Sequence, residues 1–343
     1  CKMKQLVSFI VVVVVTAVTY WGVEPLAHSV MHPDVAPANF NFAEQDYEQA
    51  MAKLSGFQVK IDEATKSGEE AAITKAKKDY EYADAIVQEN IRFWDEIKAI
   101  DLAKGDAAKG AELIQMAGCT GCHGLKAAGV DNPNDYKTAA SGMSVAPSDI
   151  SNIAYLYDEK FLAALIKDPV RALKVTHKFG DERPFEMPAF FGAGGNLNEE
   201  IAHIVAYLKS IAPKEMSNKE VFESACARCH DMKYDNVFAA GNKQEIKAYL
   251  GITPPDLSMY IRSRSIEYLH NFINDPQKML NGTSMPRVGL NEQAQNQVVA
   301  YMQSVGDSKK DERESLGLWI MGYFLILGIL AILWKNKVWR NLH

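Results

Sequence analysis

Nowhere in this sequence do apolar and polar residues alternate over the length of a long β-strand, so no sheet architecture is expected. Positive charge is short where it would matter. Residues 24–314 hold all 43 Asp and Glu but only 32 of the 37 Lys and Arg, a formal charge of −11. That sign disfavours nucleic-acid binding. No convincing small-x-small site follows the first apolar run, which argues against a cleaved leader. Cysteine is also scarce, five in 343 residues, yet four of the five fall into two copies of one pattern.

The copies are CTGCHG (119–124) and CARCHD (226–231), so that Cys119 to Cys226 and His123 to His230 are the same step of 107 residues. Other segments keep this step. VAPSDIS (145–151) lies over ITPPDLS (252–258), with Pro147 over Pro254 and Asp149 over Asp256. FLAALIKDPVRAL (161–173) lies over YLHNFINDPQKML (268–280). Past that point the first copy carries an extra stretch, HKFGDERPF (177–185), and the step shortens. EMPAF around Met187 then answers SMPRV around Met285, and each copy closes on an amphipathic segment, 199–212 and 292–305. The expectation is an all-α chain with two homologous domains, 105–213 and 214–307.

Two runs are nearly pure hydrocarbon: QLVSFIVVVVVTAVTYWGV (5–23) and LGLWIMGYFLILGILAILW (316–334). Each is long enough for a transmembrane helix. Tyr20 and Trp21 sit where an interfacial aromatic pair would, and Lys2, Lys4, Lys335, Lys337 and Arg340 lie at the outer flanks. Both termini are therefore expected in the cytoplasm and the domains in a bacterial periplasm, anchored in the inner membrane. Cys1 precedes the apolar run, whereas a lipoprotein cysteine follows a removed one. It is expected to be an unpaired cytoplasmic thiol or a remnant. Residues 42–104 read as two amphipathic helices broken near Ser67 and Gly68, with Tyr80, Tyr82, Phe93 and Trp94 as an apolar packing stripe. Such a hairpin would lean on the two domains or on a partner subunit.

Two thiols three residues apart, with histidine next, match a definite chemistry. The thiols add across the two vinyl groups of haem, and the histidine lies under the iron. Cys119, Cys122 and His123, and again Cys226, Cys229 and His230, are thus candidates to hold two covalently bound haem c groups. A zinc site would gather both thiolate pairs, but each pair here has its own histidine and its own domain. A thioredoxin-like pair would need a βαβ frame. For the sixth iron ligand the candidates are Met187, 64 residues after His123, and Met285, 55 after His230. The competing reading is core packing, since the chain has 13 methionines. His177 and His270 lack counterparts in the other copy, and His203 reads as an ordinary helix-face histidine.

The two domains resemble class I cytochromes c, with MPAF…EEIAHIVAYLKSI characteristic of that fold. The resemblance implies that Pro147 and Pro254, each 24 residues after its histidine, offer a carbonyl to the histidine Nδ1–H. PPDLSMYIRSR (254–264) resembles the PPDLS-x-x-x-R-x-R segment of cytochrome c1, which implies that Arg262 and Arg264 meet haem propionates. The tail WKNKVWRNLH resembles that of cytochrome c1 as well. Most of the chain is similar to di-haem cytochrome c1 of a bacterial bc1 complex (quinol–cytochrome c reductase). That family implies cytochrome b and Rieske iron–sulfur subunits as partners, a soluble cytochrome c or an oxidase as acceptor, and a dimeric complex. It implies no independent catalytic site. The chain departs from the usual c1 in having two motifs, in a first copy without the two arginines, and in a Met285 loop closer to small soluble cytochromes. These departures leave the order of the haems open. Other readings are a di-haem subunit of a terminal oxidase, a di-haem peroxidase, which needs a displaceable sixth ligand, and a free membrane-tethered shuttle.

Overall fold

A computed structural model describes residues 2–31, 35–134 and 143–340, so Cys1 and the last three residues of the tail lie outside it. At the N-terminal end, α1 (Lys2–Val18) passes through a π turn (Thr19–Val23) into α2 (Glu24–Met31). Val7–Ala27 in this rod is long and apolar enough, by length and composition, to cross a membrane.

A hairpin follows, made of α3 (Phe42–Ser67) and α4 (Glu70–Lys98). Asn41 starts α3 by accepting from the Glu44 N–H, and Gly68, at φ 71°, ends it in the left-handed conformation glycine adopts freely. Ala50, Leu54, Ala83 and Val87 zip the outer part of the two helices together. Nearer the domains, Phe42, Phe93, Trp94 and Ile97 enter the main core. Tyr82 does not join the aromatic stripe. It stands 74 % exposed.

The first domain comprises α5 (Ala107–Met116), α6 (Ile153–Leu156), α7 (Glu159–Lys167), α8 (Pro169–Ala172) and α9 (Leu197–Ile211). The second comprises α10 (Asn218–Ala225), α11 (Lys243–Leu250), α12 (Tyr260–Ser263), α13 (Ile266–Asn274), α14 (Pro276–Met279) and α15 (Glu292–Gly306). α5 packs on α9 as α10 packs on α15. The Asp-Pro pairs of the repeat explain themselves as helix starts. Asp168 and Asp275 accept from the Arg171 and Lys278 N–H groups, while Pro169 and Pro276 fill a first-turn position that needs no donor. Among the described residues the only extended pairings are isolated bridges, and two of them, Leu125 with Val130 and Met232 with Val237, again differ by the 107-residue step. The chain is all-α, as its sequence leads one to expect.

The two domains share a seam. The extra stretch of the first domain lays Phe179 and Phe185 against Tyr249 of α11, with ring centroids 4.9 and 6.4 Å away. Val175, Phe179, Ile246 and Leu250 form a small core there. In return, 287–291 of the second domain runs along the first. The Arg287 N–H donates to the Leu173 carbonyl at 2.9 Å and the Asn291 N–H to the Leu156 carbonyl at 2.8 Å.

A buried ionic clasp ties this seam to the hairpin. Arg287, 0 % exposed, donates to both carboxylate oxygens of Asp46 and, at 2.9 Å, to Gln45 Oε1. Its other carboxylate is Asp275, at 3.4 Å. Lys174 reaches Asp275 at 2.8 Å and Asp46 at 3.1 Å, and the Trp94 indole donates to Asp46 at 2.9 Å. Two cations thus meet two anions drawn from the hairpin and both domains, which is the condition under which buried charge is tolerated.

The second apolar helix, α16 (Lys310–Arg340), is separated from α15 by three residues and is also long and apolar enough to cross a membrane. Asp307 in this joint accepts both guanidinium nitrogens of Arg313, at 2.8 and 2.9 Å. Gly306 is forced by crowding, since a Cβ there would lie 2.4 Å from the Ser258 carbonyl oxygen.

Candidate haem-attachment sites

Each CxxCH turn follows the helix that opens its domain and is wound the same way. His123 N–H donates to the Cys119 carbonyl and His230 N–H to the Cys226 carbonyl, both at 2.9 Å. A second layer of bonds holds the turn from outside, and it repeats bond for bond. Asp149 Oδ1 accepts from Lys126 N–H and Asp256 Oδ1 from Lys233 N–H. Ser151 and Ser258 hydroxyls accept from the next residues, Ala127 and Tyr234. The Ile150 and Leu257 N–H groups close the clamp on the Gly124 and Asp231 carbonyls, at 2.8 and 2.9 Å. The D-I-S and D-L-S of the repeat are therefore the clamp itself, a role that the sequence reading did not assign.

The histidine rings are oriented by backbone carbonyls, but not by those of Pro147 and Pro254. His123 Nδ1 lies 2.8 Å from the Ser148 carbonyl and His230 Nδ1 2.8 Å from the Pro255 carbonyl, one residue later in each copy. Spacing located the turn, whereas the direction of each carbonyl is set by the peptide planes around the proline. The Pro147 carbonyl instead accepts from Asn132 Nδ2 at 3.0 Å. With Nδ1–H donated, each Nε2 lone pair is left for a metal. Burial holds both imidazoles below their ordinary pKa, against the opposing effect of the carbonyl bond, so both are in the neutral, ligating form at pH 7.

The four thiols are unpaired and partly buried. Burial pushes Cys226 up to about 12 and raises Cys119 and Cys229 too. Arg228, between the second pair of cysteines, has its guanidinium Nε buried with no hydrogen-bond partner. An orphaned cationic donor beside the turn is the kind of vacancy that an anionic or acceptor-bearing group would complete. Its charge is felt at Cys226 and Cys229 and also at His123 of the other copy, so the two turns lie within electrostatic reach of one another. These residues fit haem c.

Met187 and Met285 are half-buried on the loops that precede α9 and α15. The Glu186 carboxylate, next to Met187, accepts from Ser144 and Val145 N–H at 2.6 and 3.3 Å. This ties the methionine loop to the segment that supports His123. The other histidines of the two domains are committed elsewhere. His203 Nδ1 accepts from the Asp106 N–H, His177 Nε2 lies 3.1 Å from the Thr283 carbonyl, and His270 pairs with Gln295. Arg262 and Arg264 are exposed. The first is 3.5 Å from Asp307, and the second lies over the Tyr268 ring and donates to the Ser263 carbonyl.

The family model described as cytochrome c matches residues 107–212 and 218–306. A search of the curated proteins finds no match. Among solved structures, a chain described as "Hyperthermophilic respiratory Complex III" is similar at 24 % identity and a TM-score of 0.30, over 37 % of this chain and 75 % of that one. The family match spans more than half of the sequence, and each matched segment encloses one CxxCH turn with its histidine support. This chain belongs to the cytochrome c family, whose domains bind haem c covalently and transfer electrons.

Proposed function

We propose that the chain is a membrane-anchored di-haem cytochrome, the cytochrome c1 subunit of a quinol–cytochrome c reductase. It would take electrons from a Rieske iron–sulfur protein and pass them to a cytochrome c or an oxidase. The observation that carries this reading is the c1-like segment PPDLSMYIRSR. Its Pro255 carbonyl orients His230, its Asp256 and Ser258 clamp the second CxxCH turn, and its Arg262 and Arg264 lie immediately beyond. An apolar helix at each end supports anchoring against other membrane subunits. In this reading both termini are cytoplasmic and the haem domains periplasmic, with cytochrome b alongside in a dimeric complex.

Each haem iron, when bound, takes up and releases one electron. Cys119 and Cys122 hold the first haem and Cys226 and Cys229 the second, with His123 and His230 as proximal ligands and Met187 and Met285 as sixth ligands. Thioether ligation raises the potential of such a site. The second domain, which carries the c1-like segment, is assigned to the Rieske protein, and the first to the acceptor. Replacing both Cys226 and Cys229 by Ala should halve the covalently bound haem of the purified chain, read by haem stain and intact mass. Undiminished covalent haem would contradict the assignment.

The test of the whole reading is gentle detergent purification from native membranes through a tag on this chain. Co-purification of b-type haem and a Rieske [2Fe–2S] protein, with quinol reducing the c haems through them, would support it. A chain that emerged beside a copper–haem oxidase would belong to the oxidase instead.

A further inference from the structure

Both methionine loops are held from across the seam rather than by their own domains alone. In the first domain, the N–H of Glu186, next to Met187, finds its partner in the second domain: it donates to the Tyr249 hydroxyl at 2.9 Å. Arg183, on the same loop, donates to the Tyr249 carbonyl and, at 3.2 Å, to the Ala248 carbonyl. Lys178 donates to the Leu250 carbonyl at 3.1 Å. The relation is reciprocal. His177 of the first domain lies 3.1 Å from the carbonyl of Thr283, two residues before Met285, and the Leu173 carbonyl takes the N–H of Arg287, two residues after it.

Resting on the di-haem reading above, we propose that the seam positions the sixth ligand of each haem from the opposite domain, with Tyr249 serving the Met187 loop and His177 the Met285 loop. The physical reason is that a loop carrying a weak thioether ligand must be pre-ordered, or entropy detaches the sulfur. The HKFGDERPF stretch has no counterpart in the second copy, and it supplies His177, Lys178 and Arg183, most of the first domain's side of this bracing. Both haems would then keep their sulfur ligands only while the two domains stay docked.

The experiment uses the full haem-loaded chain in detergent. Methionine ligation is read from the ring-current-shifted methyl signals of the ferrous protein and the red thioether-to-iron absorption of the ferric protein. Met187→Ala and Met285→Ala assign each signal to its domain. Tyr249→Phe, which keeps the packed ring and loses one hydrogen bond, should raise the detached fraction at the first-domain haem about fivefold. His177→Ala should do the same at the second-domain haem. The inference is overturned if each variant disturbs only the haem of its own domain, or if neither moves any signal. If Met187→Ala and Met285→Ala themselves leave both signals intact, then the ligand assignment is wrong and the bracing proposal falls with it.

Discussion

Asp46→Asn is expected to lower stability by about 3 kcal/mol, near the lower end of what removing one partner of a buried ion pair costs. The wild-type clasp balances Arg287 and Lys174 against Asp46 and Asp275. The substitution keeps the shape and leaves two cations sharing Asp275. Thermal unfolding followed by circular dichroism should show the loss, and Asp46→Leu combined with Arg287→Met should recover a large part of it. A loss under about 1 kcal/mol would place the clasp with ordinary surface ion pairs. The pH dependence gives a second readout. Burial alone would raise the Asp46 carboxyl, but Arg287 and Lys174 outweigh it and hold the group at about 2, down from 3.8. A depressed carboxylate contributes stability above its unfolded pKa and loses it as pH falls through the folded one. About 2 kcal/mol should therefore vanish between pH 4 and pH 2 in the parent chain, and this part of the acid slope should be missing in Asp46→Asn.

Gly289→Ala should be comparably damaging, at about 3–4 kcal/mol, because strain and overpacking act together. At φ 77° the backbone is already in the region that side chains avoid, and an added Cβ would sit 1.8 Å from Phe161 Cε1 and 2.0 Å from Cζ. Phe161 has no room to yield, being 1 % exposed and packed against Phe42 and Tyr157 at 4.8 and 5.7 Å. Gly282 provides the control. It has the same φ of 77° with nothing within 4 Å of its Cβ position, so Gly282→Ala should cost only about 1 kcal/mol. If the two variants melted together, contact with Phe161 would have been overrated.

What could be read from the sequence was whatever local chemistry dictates. The CxxCH spacing is fixed by a porphyrin edge, and the 107-residue step carried the D-I-S and D-L-S clamps along with it before their purpose was visible. Asp-Pro pairs announce helix starts, and Gly68 announces the tip of the hairpin. Contacts between distant segments left no such trace. Arg287 reads as a surface cation, and its burial is tolerable because Asp46, 241 residues away, joins Asp275 in facing it. HKFGDERPF looks like a tolerated insertion until Tyr249 is beside it. Tyr82 has the chemistry of a packing residue but stands exposed. The shift from Pro147 and Pro254 to Ser148 and Pro255 is subtler, because residue counts locate a turn without fixing which carbonyl it aims.

The joint between α15 and α16 has a mechanical meaning. Gly306 abuts the Ser258 carbonyl, and Asp307 fastens Arg313 of the apolar helix while pairing with Arg262 of the c1-like segment. The clamp around His230 and the helix that would enter the bilayer are thus bolted together rather than strung on a tether. In the membrane-anchored reading proposed above, a redox centre mounted in this way would keep a constant height above the lipid, and the travelling would fall to its donor and its acceptor.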